Sequence, residues 1–181
     1  MKIAVFSDIH GSPSGMDVIL KIVDTERPDK TVICGDLFGG FVSLSSEVAD
    51  KIRQINSTLY LVRGNNDRDG DIALLPCGMD DYAVMYHFGR TLFFTHGDVY
   101  NKYRIPPLLR EGDVLVYGHT HMSLLQRFNG LYIANVGSVS RPRDDEPSYM
   151  VIEETGIVLK KLNGEIINSL SFDGQSQTNR S

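Results

Sequence analysis

Three short apolar runs near the start of the chain constrain its fold more than any other feature. They cover residues 2–6, 31–34 and 58–62, and each ends in a small cluster of polar residues or glycine. Apolar runs of this length are typical of strands that are buried on both faces. The sequence therefore predicts three buried strands with polar side chains at their carboxyl ends.

Helical patterns separate these runs. Apolar residues recur at helical spacing across 18–23 and again across 48–55. Ser14 is the predicted N-cap of the first helix, which Pro28 ends, and Ser45 is the predicted start of the second. The order βαβαβ implies right-handed crossovers and a parallel sheet. Ligand-binding residues are then expected just beyond the carboxyl ends of the strands.

The remainder of the chain is rich in strand patterns. Asn-Gly pairs at 129–130 and 163–164 predict hairpin turns, and the last third is predicted to be an antiparallel meander. We therefore expect an α/β fold with two packed sheets in a single domain over residues 1–172, followed by a polar, flexible tail at 173–181. The predicted strands cover 83–88, 91–95, 114–117, 124–128, 131–134, 149–153, 157–162 and 165–170.

Composition narrows the classes of function. The chain has 181 residues and a formal net charge of −5, which is the wrong sign for holding nucleic acid or an anionic membrane by bulk charge. Its apolar runs are far shorter than the ~20 residues of a membrane-spanning helix. We find no signal-peptide pattern and expect a cytoplasmic protein. Cys34 and Cys77 lie far apart, so we assign neither a disulfide nor metal binding and expect Cys34 to be a buried thiol.

Metal-ligand residue types follow five of the predicted strands. Alternate residues of an extended chain point the same way, so Asp-x-His and His-x-His can each present two ligands to one small region. Imidazole and carboxylate together suit Mn, Fe, Zn or Co. The residues of these types at the strand ends are Asp8, His10, Asp36, Asn65, Asn66, Asp67, His96, Asp98, His119 and His121.

Each of these elements also has an ordinary structural explanation. A lone histidine is more often a core or surface residue than a ligand, and Gly-Asp is common in turns. However, four of the five histidines fall at these strand ends, and only His87 lies inside an apolar strand. The joint pattern, and no single motif, predicts a functional site.

The motifs occur in the order Asp-x-His, Gly-Asp, Gly-Asn, His and Gly-His-Thr-His across residues 1–140. In this order they resemble the calcineurin-like metallophosphoesterase superfamily. The short chain and its stretch 135–143 resemble more narrowly the YfcE-like phosphodiesterase branch, although Val136 replaces the proline of the usual Asn-Pro-Gly-Ser. The resemblance implies a four-layer α/β/β/α sandwich of two facing mixed sheets.

The same resemblance implies a centre of two divalent metal ions. Such a pair clamps a phosphoryl group and supplies a bound hydroxide as the nucleophile near neutral pH. Mn²⁺ is the first expectation, with Fe, Zn, Ni and Co as alternatives. One ion would be held by Asp8, His10, Asp36 and His121, and the other by Asp36, Asn65, His96 and His119. The implied catalytic residues are Asp36, Asn65, His96 and Asp67.

Asn66 stands where many superfamily members have a histidine that assists departure of the leaving group. An amide cannot supply that proton, and acid catalysis typically contributes ~10²–10⁴-fold. We therefore predict a preference for good leaving groups and for phosphodiesters over monoesters. Asn66 and Arg141 are the predicted substrate contacts, while Asp67 is predicted to orient a histidine ligand or its own loop.

Two other functions stay open on sequence grounds. A non-catalytic scaffold that binds a protein partner, like the similar retromer subunit, is disfavoured because the full ligand set is present. A phosphomonoesterase is disfavoured by Asn66. We expect a small phosphodiester as substrate, a homodimer, and neither membrane nor bulk nucleic-acid binding. The segment 100–107, with Tyr100 and Tyr103, either covers the site, stacks on a base, packs as an ordinary loop or makes a subunit contact.

Overall fold

The computed structural model describes residues 1–39 and 42–172, with only the backbone of residues 42 and 43. Eleven strands and three helices lie within these ranges. In chain order they are β1 (Ile3–Phe6), α1 (Pro13–Glu26), β2 (Lys30–Cys34), α2 (Val42–Ile52), β3 (Thr58–Val62), α3 (Asp69–Ile72), β4 (Tyr82–His87), β5 (Arg90–Thr95), β6 (Val114–Tyr117), β7 (Leu124–Phe128), β8 (Leu131–Asn135), β9 (Ser148–Glu153), β10 (Gly156–Lys161) and β11 (Ile166–Ser171).

The strands form two mixed sheets. The first has the order β11-β10-β9-β1-β2-β3, in which β1, β2 and β3 are parallel and β9, β10 and β11 form the predicted antiparallel meander. The second has the order β4-β5-β6-β8-β7, with a parallel centre and antiparallel edges. Asn129 and Gly130 close the predicted β7–β8 hairpin with φ angles of 50° and 78°, as a two-residue turn with left-handed backbone requires.

The inner faces of the two sheets pack against each other. Val5 and Val32 of the first sheet share one buried cluster with Phe94 and Val116 of the second. Helices α1 and α2 cover the outer face of the first sheet, where Ile19 belongs to a separate buried cluster. Burial of this apolar surface is the main driving force for the arrangement. The predicted α/β fold of two facing mixed sheets is confirmed.

Residues 97–112 cover the outer face of the second sheet. Tyr100, Ile105 and Leu109 from this segment pack against the buried cluster on that face, which includes Phe93. Within the described part of the chain the segment contains no helix, and two consecutive prolines in it remove backbone donors that a helix would need. The fourth layer is therefore irregular chain with an apolar underside.

Two helix starts differ from the prediction. Ser12, and not Ser14, is the N-cap of α1, because its Oγ accepts a backbone N–H three residues on at 3.0 Å while Pro13 takes the first helical position. Proline is tolerated there since the first N–H groups of a helix have no partner within it. Helix α2 begins at Val42, so Ser45 lies inside the helix and is buried.

Three smaller predictions concern the ends and the interior of the chain. Cys34 is fully buried at the end of β2, as predicted. The predicted tail at 173–181 lies outside the described residues. Of the helices in the described ranges, none combines the length and apolar character that a bilayer crossing needs.

Glu26 ties the end of α1 to the first sheet. One of its carboxylate oxygens accepts from Lys160 Nζ at 2.6 Å and from the Tyr149 hydroxyl at 2.8 Å, and the other accepts from Lys2 Nζ at 3.0 Å. Burial favours the neutral acid, but these hydrogen bonds outweigh it and lower the pKa of Glu26 to about 2. The folded state therefore stabilises the charged carboxylate.

Replacing Glu26 with glutamine is expected to lower the free energy of unfolding near neutral pH by about 1.5–3 kcal/mol, the range for hydrogen bonds to charged groups. A carboxyl whose pKa falls on folding stabilises the protein above its unfolded pKa of about 4.3, and that contribution disappears as the pH falls towards 2. Urea denaturation should show the difference shrinking between about pH 7 and pH 3. Glu47→Gln, at an exposed carboxylate of α2, is the control, and an undiminished difference in acid would contradict the assignment.

Candidate metal centre

Loops that follow strands of both sheets meet at one edge of the sandwich. Asp8 follows β1 and Asp36 follows β2, and the Asp8 backbone N–H donates to the Gly35 carbonyl at 3.1 Å. The second sheet reaches the same place, because the His119 backbone N–H donates to Asp8 Oδ2 at 2.9 Å. The edge lies beyond the carboxyl ends of parallel strands, where ligand sites of such sheets are found.

Asp8, His10 and His121 form a first group of ligand atoms. His121 Nε2 lies 3.2 Å from Asp8 Oδ1 and 3.0 Å from His10 Nε2. His10 Nε2 lies 3.7 Å from the same Asp8 oxygen. All three atoms are within 4.8 Å of one another, so they can contact one small cation.

A second group surrounds His96. Its Nε2 atom lies 3.0 Å from Asn65 Oδ1, 3.1 Å from His119 Nδ1 and 3.5 Å from Asp36 Oδ2. Two imidazole nitrogens and two oxygens therefore converge, which is a mixed ligand set typical of borderline divalent ions.

A single oxygen of Asp36 faces both groups. Asp36 Oδ2 lies 3.5 Å from His96 Nε2 in the second group and 3.8 Å from His10 Nε2 in the first. This carboxylate is 2% exposed. The geometry supports a shared position for Asp36 between two adjacent ions.

Backbone carbonyls orient two of the histidines. His96 Nδ1 lies 2.9 Å from the Cys34 carbonyl, and His121 Nδ1 lies 2.7 Å from the Arg141 carbonyl. A carbonyl only accepts, so each Nδ1 must carry the proton in this contact, which leaves Nε2 with its lone pair when the ring is neutral. Both Nε2 atoms point at the ligand groups, which is the arrangement that metal-binding histidines use.

Asp8 has one oxygen that the protein leaves without a partner. Oδ2 accepts from the Ser7 hydroxyl at 2.7 Å and from the His119 N–H, whereas the buried Oδ1 has no hydrogen bond. Buried acceptors in folded proteins almost always have a partner. Because Oδ1 is also the oxygen nearest His10 and His121, a cation in the first group would satisfy it, and the residues present fit such an ion.

The backbone at the site is held in an uncommon conformation. Five of the seven predicted ligands have φ between 51° and 65°, in the left-handed region that residues with a Cβ rarely adopt. Such outliers cost free energy and concentrate at functional sites. The residues are Asp8, His10, Asp36, His119 and His121.

Charge in the site is distributed unevenly. Burial lowers the pKa of His10 to about 4 despite the opposing effect of Asp36. Burial alone would also lower the pKa of His96. The contacts of His96 with Asp36 outweigh this effect and raise the pKa to about 9. Burial raises the pKa of Asp8, while hydrogen bonds with His96 and Asn66 overcome burial and hold the pKa of Asp36 well below its usual range. The Asp36 carboxylate thus stabilises positive charge beside it, either a proton on His96 or a metal ion.

Asp67 contacts two backbone amides and not a histidine. Its Oδ1 accepts from the Phe38 N–H at 2.9 Å, and its Oδ2 accepts from the Gly64 N–H at 2.8 Å. Burial raises the pKa of Asp67 to about 6 even though both bonds favour the charged form. Of the two predicted roles for Asp67, these contacts support the one in which it orders its own loop, here against the loop that follows β2.

The two residues predicted to contact substrate both hydrogen-bond to predicted metal ligands. The Asn66 backbone N–H donates to Asp36 Oδ1 at 2.8 Å, and its side-chain amide donates to Asp36 Oδ2 at 2.7 Å. Arg141 offers its carbonyl to His121, while the residue itself is exposed. Their contact with substrate stays a prediction.

Sequence reasoning missed two serines that order the site. Ser7 Oγ lies within hydrogen-bond distance of Asp8 Oδ2 and of the Cys34 carbonyl. The fully buried Ser138 Oγ donates to the Asp8 carbonyl at 2.8 Å and accepts from the Arg141 N–H at 2.8 Å. Ser7 lies directly beside Asp8 and Ser138 is the serine of the Asn-Val-Gly-Ser stretch, but neither position assigns a role, since serine is common in loops for many reasons.

Two cavities adjoin the ligand groups. The first, of about 540 Å³, includes Asn65 and Tyr100 in its lining. The second, of about 360 Å³, includes His119 and Tyr103. The chain at residues 97–100 lies between the two cavities. Gly97 lines the second cavity, and the three residues that follow it line the first. Part of the segment predicted to cover the site thus forms cavity walls, while the part around Ile105 packs on the sheet.

Comparison with known families places this geometry in context. Residues 1–156 match the family model described as the calcineurin-like phosphoesterase superfamily domain. Phosphodiesterase YfcE of Escherichia coli strain K12 is 31% identical over 179 residues, covering 92% of this chain and 95% of that protein. Phosphodiesterase MJ0936 of Methanocaldococcus jannaschii is 26% identical over 148 residues, covering 76% of this chain and 83% of that protein.

Solved structures agree with the sequence matches. The structure of YfcE, a phosphoesterase from E. coli, superimposes with a TM-score of 0.88 and 28% identity, covering 96% of this chain and all of that one. Wild-type Vps29 from Entamoeba histolytica, solved with Zn²⁺, superimposes with a TM-score of 0.65 and 22% identity, covering 96% of this chain and all of that one. The second likeness concerns the fold alone.

Proposed function

Because the chain belongs to the calcineurin-like phosphoesterase superfamily, we propose that it is a metal-dependent phosphodiesterase acting on small phosphodiesters. The family predicted from the motif order, including its YfcE-like branch, is confirmed. The observation that carries the proposal is the position of Asp36 Oδ2 between two groups of ligand atoms. A pair of divalent ions bound at these two groups would supply the arrangement that two-metal phosphoryl-transfer sites use.

We assign Asp8, His10 and His121 to one ion and Asn65, His96 and His119 to the other, with Asp36 shared between them. The family implies divalent ions, and Mn²⁺ is our proposal for their identity. When bound, such ions neutralise phosphoryl oxygens and supply a nucleophilic water near neutral pH. The chain itself orients four of these ligands: Ser7 contacts Asp8, the Cys34 and Arg141 carbonyls contact His96 and His121, and Asn66 contacts Asp36.

The two cavities favour a diester over a monoester. A monoester has one organic group on phosphorus, whereas a diester has two. The cavities border opposite members of the second ligand group, with Asn65 on one side and His119 on the other. A phosphoryl group held at the metal ligands can thus extend one arm into each cavity.

Asn66→His tests the proposed reason for diester preference. Histidine at this position would offer a proton to the departing alkoxide, so turnover of esters with poor leaving groups should rise by about tenfold or more. The variant loses the amide bond to Asp36, and turnover of nitrophenyl esters, which need no acid, should fall by about 10-fold. The measurement is kcat/KM for an alkyl and a nitrophenyl phosphodiester, with metal content as the control. If metal binding is intact and the ratio of the two rates is unchanged, Asn66 does not set leaving-group preference.

The scaffold function has less support. Vps29 shares the fold at 22% identity, but YfcE matches at higher identity with nearly complete coverage of both chains. All seven predicted ligands are present, and the residues that orient them are buried or hydrogen-bonded. A scaffold would have no chemical use for that arrangement.

Hydrolysis of matched nitrophenyl esters tests the proposed function directly. The protein is stripped of metal, reloaded with Mn²⁺ and assayed on bis-p-nitrophenyl phosphate and on p-nitrophenyl phosphate. We expect diester turnover that requires the added metal and exceeds monoester turnover. Monoester preference would favour the phosphomonoesterase, and no turnover with Mn, Fe, Zn, Ni or Co would favour the scaffold.

A cytoplasmic location and a homodimer stay predictions from the sequence. Sedimentation equilibrium of the metal-loaded protein checks the second, since a homodimer doubles the 20.2 kDa mass of the chain. A single species with the mass of one chain at micromolar concentration would contradict it.

A further inference from the structure

Most of the residues that line the first cavity lie outside the proposed metal-ligand groups. The lining contains Asn65 and Asp67 at the metal centre, and it extends away from them along the start of β4 and the segment after His96. Its volume of about 540 Å³ is in the range of small-molecule pockets. An arm of a substrate whose phosphorus sits at the metal ligands would therefore enter this cavity.

An aromatic cluster forms one side of the cavity. The Tyr82 and Phe93 rings are stacked at 5.0 Å with an interplanar angle of 20°, and Tyr100 meets Phe93 edge-on at 5.8 Å. Phe93 is buried, whereas Tyr82 is 49% exposed. Tyr82 therefore has one ring face supported from below and surface free to contact a ligand in the cavity.

The aromatic side chains do not form a cage. The Arg104 guanidinium lies over the Tyr100 ring at 5.6 Å from its centroid, so Tyr100 is already engaged in a cation–π contact. A quaternary ammonium group is recognised by several ring faces together. One supported tyrosine instead suits a flat ring that stacks on it.

The charged lining of the cavity is mainly acidic. Asp81 and Asp98 are exposed and line it, and both offer acceptors only. Arg63 is the only basic residue in the lining, and its guanidinium lies 2.7 Å from Asp69 and donates to the Asp67 carbonyl. A second phosphate would be repelled here, whereas a neutral ring with N–H groups would find hydrogen-bond partners.

We propose that this cavity binds the nucleobase of a mononucleoside phosphodiester, with the base stacked on Tyr82 and its N–H groups directed at Asp81 and Asp98. The inference rests on the proposed phosphodiesterase function and narrows its substrate class. It favours nucleoside-bearing diesters over glycerophosphodiesters, which carry no flat ring. It also disfavours polynucleotides, whose next phosphate would approach the two carboxylates.

The test compares two esters with the same leaving group, thymidine 5′-p-nitrophenyl phosphate and methyl p-nitrophenyl phosphate, on the Mn²⁺-loaded protein. Tyr82→Ala should lower kcat/KM for the thymidine ester by about tenfold, the effect of removing one base–aromatic stack, and leave the methyl ester unchanged. Tyr82→Phe should retain both activities. Tyr86→Ala is the matched control, because Tyr86 lies four residues along the same strand, is 73% exposed and does not line the cavity.

Other outcomes would overturn the inference. An equal loss on both esters would mean that the cavity holds the nitrophenyl group or that the site is distorted. An unchanged thymidine ester would mean that no base stacks on Tyr82. If the wild-type protein hydrolyses neither ester, the proposed function fails, and calorimetric binding of thymidine 5′-phosphate, weakened by Tyr82→Ala but not by Tyr86→Ala, then decides the inference separately.

Discussion

Asp36→Asn is expected to reduce Mn²⁺-dependent phosphodiester hydrolysis on the order of 10³-fold. Asp36 Oδ2 is the oxygen that faces both ligand groups, and the residue is buried beside two histidines. An asparagine keeps the shape but removes the negative charge that would attract two cations. Loss of several kcal/mol of metal-centred stabilisation, at tenfold per 1.4 kcal/mol, gives that reduction. The measurement is kcat/KM for methyl p-nitrophenyl phosphate.

Metal content gives a second readout of the same variant. After dialysis the wild-type protein should retain about two ions per chain by elemental analysis, and Asp36→Asn should retain fewer. Asp24→Asn is the control, because Asp24 is an exposed carboxylate on α1, outside both ligand groups. Full metal content with full activity in Asp36→Asn would reject the shared position of this carboxylate and, with it, the dinuclear centre.

Gly118→Ala is expected to damage the site without removing any ligand. A Cβ at Gly118 would lie 1.9 Å from Ser7 Oγ and 2.5 Å from Asp8 Oδ2. The glycine cannot move away easily, since its N–H donates to the His96 carbonyl at 2.8 Å and its own carbonyl accepts from Asn135 at 2.8 Å. Displacement of Asp8 should lower kcat/KM about 10²-fold, and overpacking should cost about 1–3 kcal/mol of stability.

The control for this substitution is Gly78→Ala. A Cβ at Gly78 meets nothing within 4 Å, and its φ is not positive. The same chemical change should therefore leave activity and the urea midpoint close to wild type. Wild-type activity in Gly118→Ala would show that the Ser7 and Asp8 side chains can move aside without loss of function. The site would then be less rigid than its hydrogen bonds indicate.

Much of the fold could be predicted because its signals are local. Each of the first three strands is a short apolar run with a polar end, and the helices between them repeat apolar residues every three to four positions. Asn129 and Gly130 mark their hairpin through backbone preference alone. The start of α1 was misplaced by two residues because Ser12 and Ser14 are equally good caps in sequence, and only the helix geometry selects between them.

The sequence was sufficient to predict the candidate ligand residues of the site, but not the contacts that hold these residues in place. Residue types and motif order named the seven ligands, because the chemistry of a divalent ion restricts which side chains can hold it. The partners of Asp67, the dual placement of Asp36 Oδ2 and the serines beside Asp8 follow from contacts between loops far apart in the chain. A sequence pattern holds no information on such distances.

By itself, the sequence determined the strand and helix pattern, the acidic charge and the residue types that are candidates for metal binding, since each depends on residue type and short-range spacing. Only the tertiary structure decided that β9 pairs with β1 and that residues from the loop after β3, from β4 and from the segment after β5 line one cavity. The physical reason is that strand pairing and cavity shape depend on packing between distant segments. Such contacts form where apolar surfaces bury each other, and many sequences with the same local pattern could pair differently.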